Sequence, residues 1–140
     1  VSVGSIAIRD LAQQALTFKY AEGGRDPSTG FDCWGLVHWM LCQLGHTIPD
    51  YTDDKVCSVN GYSRFIEEYH KYGVEIDRKD AKPGDVLFFR RHGLAGHAGI
   101  LLDKGKFIHC NKAGVQVSRL SDQYHARTLT AVVRIHDDNH

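Results

Sequence analysis

The chain has 140 residues, 42% of them hydrophobic, and its 17 basic and 17 acidic side chains cancel to a formal net charge of zero. A chain of that length buries roughly two-thirds of the surface its unfolded form exposes, so one domain over 1–140 is expected, with no metal or disulfide staple needed for folding. The balanced charge excludes long-range steering to nucleic acid or an anionic membrane, and no apolar run reaches the roughly 20 residues of a membrane-spanning helix.

The first segment, VSVGSIAIRDLAQQAL, lacks the basic start and continuous apolar run of a signal peptide. Its Ile6, Ile8, Leu11, Ala12, Ala15 and Leu16 fall near a helical period and predict an amphipathic first helix. The Gly, Pro, Asp and Ser content of YAEGGRDPSTGF predicts an ordered loop. A second helix is predicted over 33–44, where Leu36, Val37, Met40, Leu41 and Leu44 recur at three- and four-residue steps, with Asp32 as N-cap and Gly45 as the stop. Residues 46–60 are polar and irregular. A third helix is expected at about 61–72, with Phe65, Ile66 and Tyr69 on one side and Gly73 at its end. Past the turn signal AKPGD, the runs VLFFRR, HAGILLD, KFIHCN, GVQVSRL and TAVVRIH predict an antiparallel meander of about five strands. The fold class is α+β, helices first and sheet after.

The cysteines are Cys33, Cys42, Cys57 and Cys110, with no CxxC pair and no zinc-finger spacing. On a helical wheel Cys33 lies between Leu36 and Val37, so its side chain faces the protein. It also sits in the first helical turn, where backbone N–H groups and the positive end of the helix dipole favour a thiolate. Taken alone, the segment fits a small buried hydrophobe as well as a nucleophile. Cys42 falls on the opposite side of the helix and reads as structural, Cys110 as core. Cys57 lies in the polar loop, where a free thiol and a disulfide are both open.

A base for Cys33 comes from HAGILLDKGKFIHCN. A three-residue loop, Asp103-Lys104-Gly105, pairs Leu101 with Phe107 and Gly99 with His109, and sets His97 diagonally across from His109. A two-residue loop would bring Cys110 to the His97 face instead. The longer loop keeps the apolar residues Ala98, Ile100, Leu102 and Ile108 together. Cysteine, a basic histidine and a second polar group orienting that histidine form the constellation of a thiol hydrolase. In it Cys33 attacks a carbonyl, His97 holds and returns the proton, His109 fixes the His97 tautomer, and the Cys33 backbone N–H faces the oxyanion. The same three side chains are a competing set of zinc ligands, but without the close pair that usually anchors such a site. The thiol chemistry calls for no metal and no cofactor.

YAEGGRDPSTGFDCWGLV, KPGDVLFFRR, HAGILL and FIHCNKAGVQVSRL resemble, in order and spacing, the NlpC-type cell-wall cysteine peptidases over about Tyr20 to Leu120. The resemblance implies a papain-like α+β domain with Cys33, His97 and His109 as the catalytic trio. It further implies that Tyr20 lines the site near the thiol, that Asp32 helps hold the substrate, and that the substrate is a peptidoglycan stem peptide cut between D-glutamate and a diamino acid. Cell-wall remodelling members usually carry a serine after the cysteine, which in some of them binds a free amino end. Here Trp34 stands in that place, on what the wheel makes the outer side of the helix, as an expected wall of the substrate groove. DCWGL looks more like members carried on phage tails, and a prophage-derived or contact-delivered toxin fits the same pattern. The implied partners are thus the wall peptide and a phage-tail or secretion-system protein, with action on the wall after delivery. Competing readings are a thiol amidase or acyltransferase on the same scaffold, and a wall-binding module without turnover. Arg90, Arg91 and His92 form a short basic patch available to a carboxylate-rich peptide.

Overall fold

The computed structural model describes residues 3–49, 69–90 and 96–136. Helix α1 (Val3–Ala15) buries Ile8, Ala12 and Ala15. Leu16, expected to extend this stripe, is 47% exposed. The helix ends one residue earlier in a tight turn, in which the Thr17 and Phe18 N–H groups bond to Gln14 and Ala15 carbonyls.

The loop that follows contains a ribbon of two short antiparallel strands, β1 (Arg25–Asp26) and β2 (Gly30–Phe31). Its turn is closed by Asp26, whose Oδ1 accepts from the Ser28 N–H and hydroxyl at 2.8 and 2.6 Å. The ribbon leads into helix α2 (Cys33–Gln43), capped as expected by Asp32, whose Oδ1 accepts the Gly35 N–H at 2.6 Å. At the other end Gly45 takes φ +96°, with Gly45 N–H bonded to Cys42 O and His46 N–H to Leu41 O. This paired closure of a helix suits a glycine in the left-handed region.

The main sheet has six strands, β3 (Gly73–Glu75), β4 (Val86–Arg90), β5 (Gly96–Leu101), β6 (Lys106–Asn111), β7 (Gly114–Arg119) and β8 (Leu129–Ile135). Their order is β3-β8-β4-β5-β6-β7, all neighbours antiparallel. The meander holds from β4 to β7. The chain then returns to place β8 on the far side of β4, with the sixth strand, β3, outside it. Sequence periodicity does not indicate that return, because it is made by a short helix, α3 (Gln123–Thr128), capped by Asp122. Gly73 opens β3, and a methyl there would collide with the Arg134 carbonyl, so glycine permits the pairing.

Both faces of the central strand β4 are buried, and for this reason VLFF reads as a continuous apolar run. Toward α1 and α2 the sheet presents Val86, Phe88, Ala98, Ile100, Ile108 and Cys110. The opposite face carries Leu87, Phe89, Leu101, Phe107, Leu129 and Val132. An ion pair between buried Asp85 and half-buried Arg134 fastens β8 to the start of β4. Arg134 Nε and Nη2 donate to Asp85 Oδ1 and Oδ2, each at 2.9 Å, and Asp85 also accepts the Lys82 N–H. Of the expected third helix only the end is described, where Tyr69 is fully buried. Cys57, Arg91 and His92 lie outside the described residues, and Arg90 is exposed at the end of β4.

Candidate active site

Cys33 is the first residue of α2 and is half-buried against the helix-side core. Its position is fixed by the ribbon in front of it. Arg25 Nη1 donates to Asp32 Oδ1 at 2.9 Å and to the Gly24 carbonyl at 2.8 Å, tying β1 to the helix cap. Gly35 completes the fit, since a methyl group there would run into the Gly24 carbonyl oxygen and stand 3.1 Å from Arg25 Nη1. The DCWG motif is therefore a packing requirement as well as a capping one.

Tyr20 bridges to Phe31, beside the cap. Its phenol is pushed above the ordinary value by burial first, then by the negative charge of Glu22, Asp32, Cys33 and Cys110. Tyr20 thus lies within electrostatic reach of the Cys33 thiol. Cys110 faces the same region from β6, with its S–H directed at the Phe31 carbonyl at 3.1 Å and its pKa raised to about 11, chiefly by burial. It is core, as expected from its strand position. Cys42 is exposed on the outside of α2 with His38 beside it, Sγ to Nε2 3.6 Å.

Trp34 is not where the wheel placed it. It is 1% exposed, with its ring edge-to-face on Tyr69 at 4.9 Å, and belongs to the core instead of a groove wall. The wheel treats a helix as having one buried side, whereas α2 packs on α1, on the ribbon and on β5 and β6. Tyr69 supplies a further apolar surface from a distant part of the chain.

The hairpin register is the one expected from the three-residue loop. Leu101 pairs with Phe107 and Gly99 with His109, and Gly105 takes φ +72° in the turn. His97 and His109 are 5% and 3% exposed, and His97 Nε2 lies 2.8 Å from His109 Nδ1. Gly99 leaves room for the pair. A Cβ at that position would stand 2.8 Å from the Ile108 carbonyl oxygen and 3.3 Å from the His109 Cβ.

Two residues outside the sequence-based set join this pair. Ser118 Oγ lies 2.8 Å from His109 Nε2, on β7, where Ser118 pairs with Phe107. His125, on α3, sets its ring 5.7 Å from His109 and 5.0 Å from Phe107. Period-two alternation along GVQVSRL puts Ser118 on the histidine face once the register is known. His125 has no such signal, because its helix is six residues long. The row His97, His109, Ser118 admits a tautomer set in which His97 Nε2–H donates to His109 and His109 Nε2–H donates to Ser118. That set makes His97 Nδ1 an acceptor, and protonation of His97 keeps every bond in the row. Among the described residues no three His, Cys, Asp or Glu side chains converge to hold a metal.

The profile of the NlpC/P60 family matches residues 17–134. The chain belongs to the NlpC/P60 family. This is a family of cysteine peptidases, and the matched span runs from just before Tyr20 to the last strand. The bifunctional muramidase/DL-endopeptidase CwlT of Bacillus subtilis is 35% identical over 119 residues, 83% of this chain and 32% of that protein. The murein DD-endopeptidase MepH of Escherichia coli is 33% identical over 135 residues, 93% of this chain and 45% of that protein. The chain therefore spans less than half the length of these relatives. An NlpC/P60 protein similar to lipoprotein from Staphylococcus aureus superposes with TM-score 0.72 at 25% identity, covering 96% of this chain and 42% of that one. RipD of Mycobacterium tuberculosis, described as a non-catalytic NlpC/P60 protein adapted to peptidoglycan binding, shares the fold with TM-score 0.64 at 19% identity, over 97% of this chain and 100% of that one. An NlpC/P60 fold is thus compatible with turnover or with binding alone, and side chains decide between them.

Proposed function

We propose that this NlpC/P60 chain is a cysteine endopeptidase acting on peptidoglycan stem peptides, with Cys33 as nucleophile, His97 as base and His109 as the residue orienting it. The observation that carries the reading is the bonded row His97–His109–Ser118, whose first member stands one residue inside the start of β5. Cys33, at the tip of α2, packs with the helix-side core, so the reading requires its thiol to meet His97 Nδ1 at that end of the sheet. Buried imidazoles are costly unless their ring nitrogens are partnered, and a bonded row with an acceptor, His97 Nδ1, at its head is what a base requires.

In this mechanism the Cys33 sulfur loses its proton to His97 Nδ1 and attacks the scissile carbonyl carbon. The oxyanion forms at the start of α2, with the Cys33 backbone N–H as a donor and the helix dipole in support. The His97 imidazolium, held by His109, gives its proton to the leaving amine as the C–N bond breaks. Water then adds to the thioester, with His97 again taking its proton, and the acid product leaves as the thiol re-forms.

CwlT is named a DL-endopeptidase and MepH a DD-endopeptidase, so both bonds belong in the assay. The bond between D-glutamate and the diamino acid is the proposed one. Incubation with purified muropeptides followed by mass analysis should show new amine and carboxylate ends at that bond, and none with Cys33→Ala. Release of no fragment by the wild-type protein sinks the proposal. The binding-only reading, motivated by RipD, predicts instead that wild-type and Cys33→Ala proteins sediment alike with walls and cut nothing. Delivery by a phage tail or secretion system rests on the DCWGL motif alone, and detection of the chain in purified tails or secreted fractions tests it.

A further inference from the structure

Beside Tyr20 lies a groove of about 330 Å³, lined by Leu16, Phe18, Lys19, Tyr20 and the β6–β7 turn from Lys112 to Val115. That volume is at the lower end of the range typical of small-ligand sites. Its walls are fixed by packing. The Phe18 ring is held against Phe31 and Trp39 at centroid distances of 5.5 and 5.1 Å. The facing turn is braced by Asn111 Oδ1, which accepts the Ala113 N–H at 2.9 Å, and it closes against Phe18, whose carbonyl would lie 3.6 Å from a Cβ at Gly114.

We propose that this groove is a substrate subsite that takes carboxylate groups of the stem peptide, with Lys19 and Lys112 as the recognising cations and Tyr20 as the wall shared with Cys33. This deepens the peptidase reading and rests on it. Three features favour an anionic occupant. The lining holds two ammonium groups and no carboxylate, while Phe18, Leu16 and Val115 supply an apolar floor for a peptide's aliphatic parts. Tyr20 joins the groove to the candidate nucleophile, since it lines the groove and its backbone bridges to Phe31, two residues before Cys33. The carboxylate of Asp32 caps the helix that Cys33 starts and does not line the groove, so the charge changes sign between the two and gives a peptide with both carboxylates and an amine a preferred direction. The groove of 190 Å³ between β3 and β8 offers no such continuity, as its lining from Glu75 to Arg78 and Leu129 to Val132 includes neither Tyr20 nor any other candidate site residue.

The test compares a stem tetrapeptide carrying free side carboxylates with its amidated counterpart. In the Cys33→Ala background, calorimetry should give the free-acid peptide about tenfold tighter binding than the amide, a difference abolished by Lys19→Gln with Lys112→Gln and reduced at high salt. In the otherwise wild-type protein the same double substitution should raise KM for the free-acid peptide about tenfold and leave kcat/KM for the amide within about threefold. Equal affinity for the two peptides, or an equal loss of both in the double variant, overturns the subsite. If the wild-type protein cleaves neither peptide while Cys33→Ala still discriminates between them, the peptidase reading falls and the carboxylate site stands.

Discussion

On its helix side the central sheet presents Phe88, Ala98, Ile100 and Ile108, and the polar atom among them, the Cys110 thiol, is quieted by the Phe31 carbonyl. On its other side the alternate residues of the same strands present Phe89 and Phe107 together with His97, His109 and Ser118. The two histidines are as deeply buried as the helix-side residues, so burial does not separate the sides. What separates them is a connected row of polar atoms, His97 Nε2 to His109 Nδ1 and His109 Nε2 to Ser118 Oγ. A buried polar group is tolerated when it is satisfied, and a row whose bonds survive protonation of its first member is poised for proton transfer.

Four measurements test that contrast, from the largest expected effect to the smallest. His97→Ala should lower kcat/KM on wall peptides by about 10³-fold while leaving urea stability within about 2 kcal/mol, because it removes the base and leaves the helix-side core intact. A smaller loss would show that the histidine face is structural like the other. Gly99→Val fills the space between the two histidines, and with backbone as the near obstacle it should cost about 2–3 kcal/mol in urea unfolding and lower activity further than the stability loss explains. An active, fully stable Gly99→Val protein would refute the tight-packing account.

The helix face gives the third measurement, a pH dependence of stability. The Cys110 pKa is raised from 9.0 to about 11 in the folded protein, by burial and then by Asp32. Between those values the unfolded chain gives up a proton that the folded chain keeps, so stability falls as pH rises through this window and is unaffected below it. Wild-type protein should lose about 2 kcal/mol more than Cys110→Ala between pH about 8 and about 11, read from urea melts of both. Parallel pH curves would mean the thiol is not shielded as its contacts indicate. Finally, Ser118→Ala should lower kcat about fivefold and shift the lower limb of the pH–rate profile, through the orientation of His109, with wild-type substrate affinity retained. A uniform drop without a change of profile would make Ser118 a packing residue.

Several features are legible before any coordinates. Asp32 and Gly45 bound α2 because capping and the left-handed turn are local chemistry, and DKG sets the hairpin register because loop length and apolar alternation agree. The pairing of His97 with His109 follows from that register alone. Other features depend on long-range contacts. Trp34 points into the core because Tyr69, 35 positions on, covers it, and no helical wheel contains that surface. The sixth strand and the return of β8 arise from pairing between residues 73–75 and 133–135, and the turn back is made by a helix too short to leave a periodic mark.

The amino-acid order thus settles the local devices: the cap that starts the Cys33 helix, the turn that aligns two histidines, and the run of motifs that places the chain in its family. Which side chains those devices face is left to the assembled fold. It carries Arg25 onto Asp32, adds Ser118 and His125 to the histidine pair, withdraws Trp34 from the surface, and brings Lys19 and Lys112 to the two sides of one groove. The physical reason is range: caps and turns are settled within a few residues, whereas burial and charge are settled by whichever distant segment arrives.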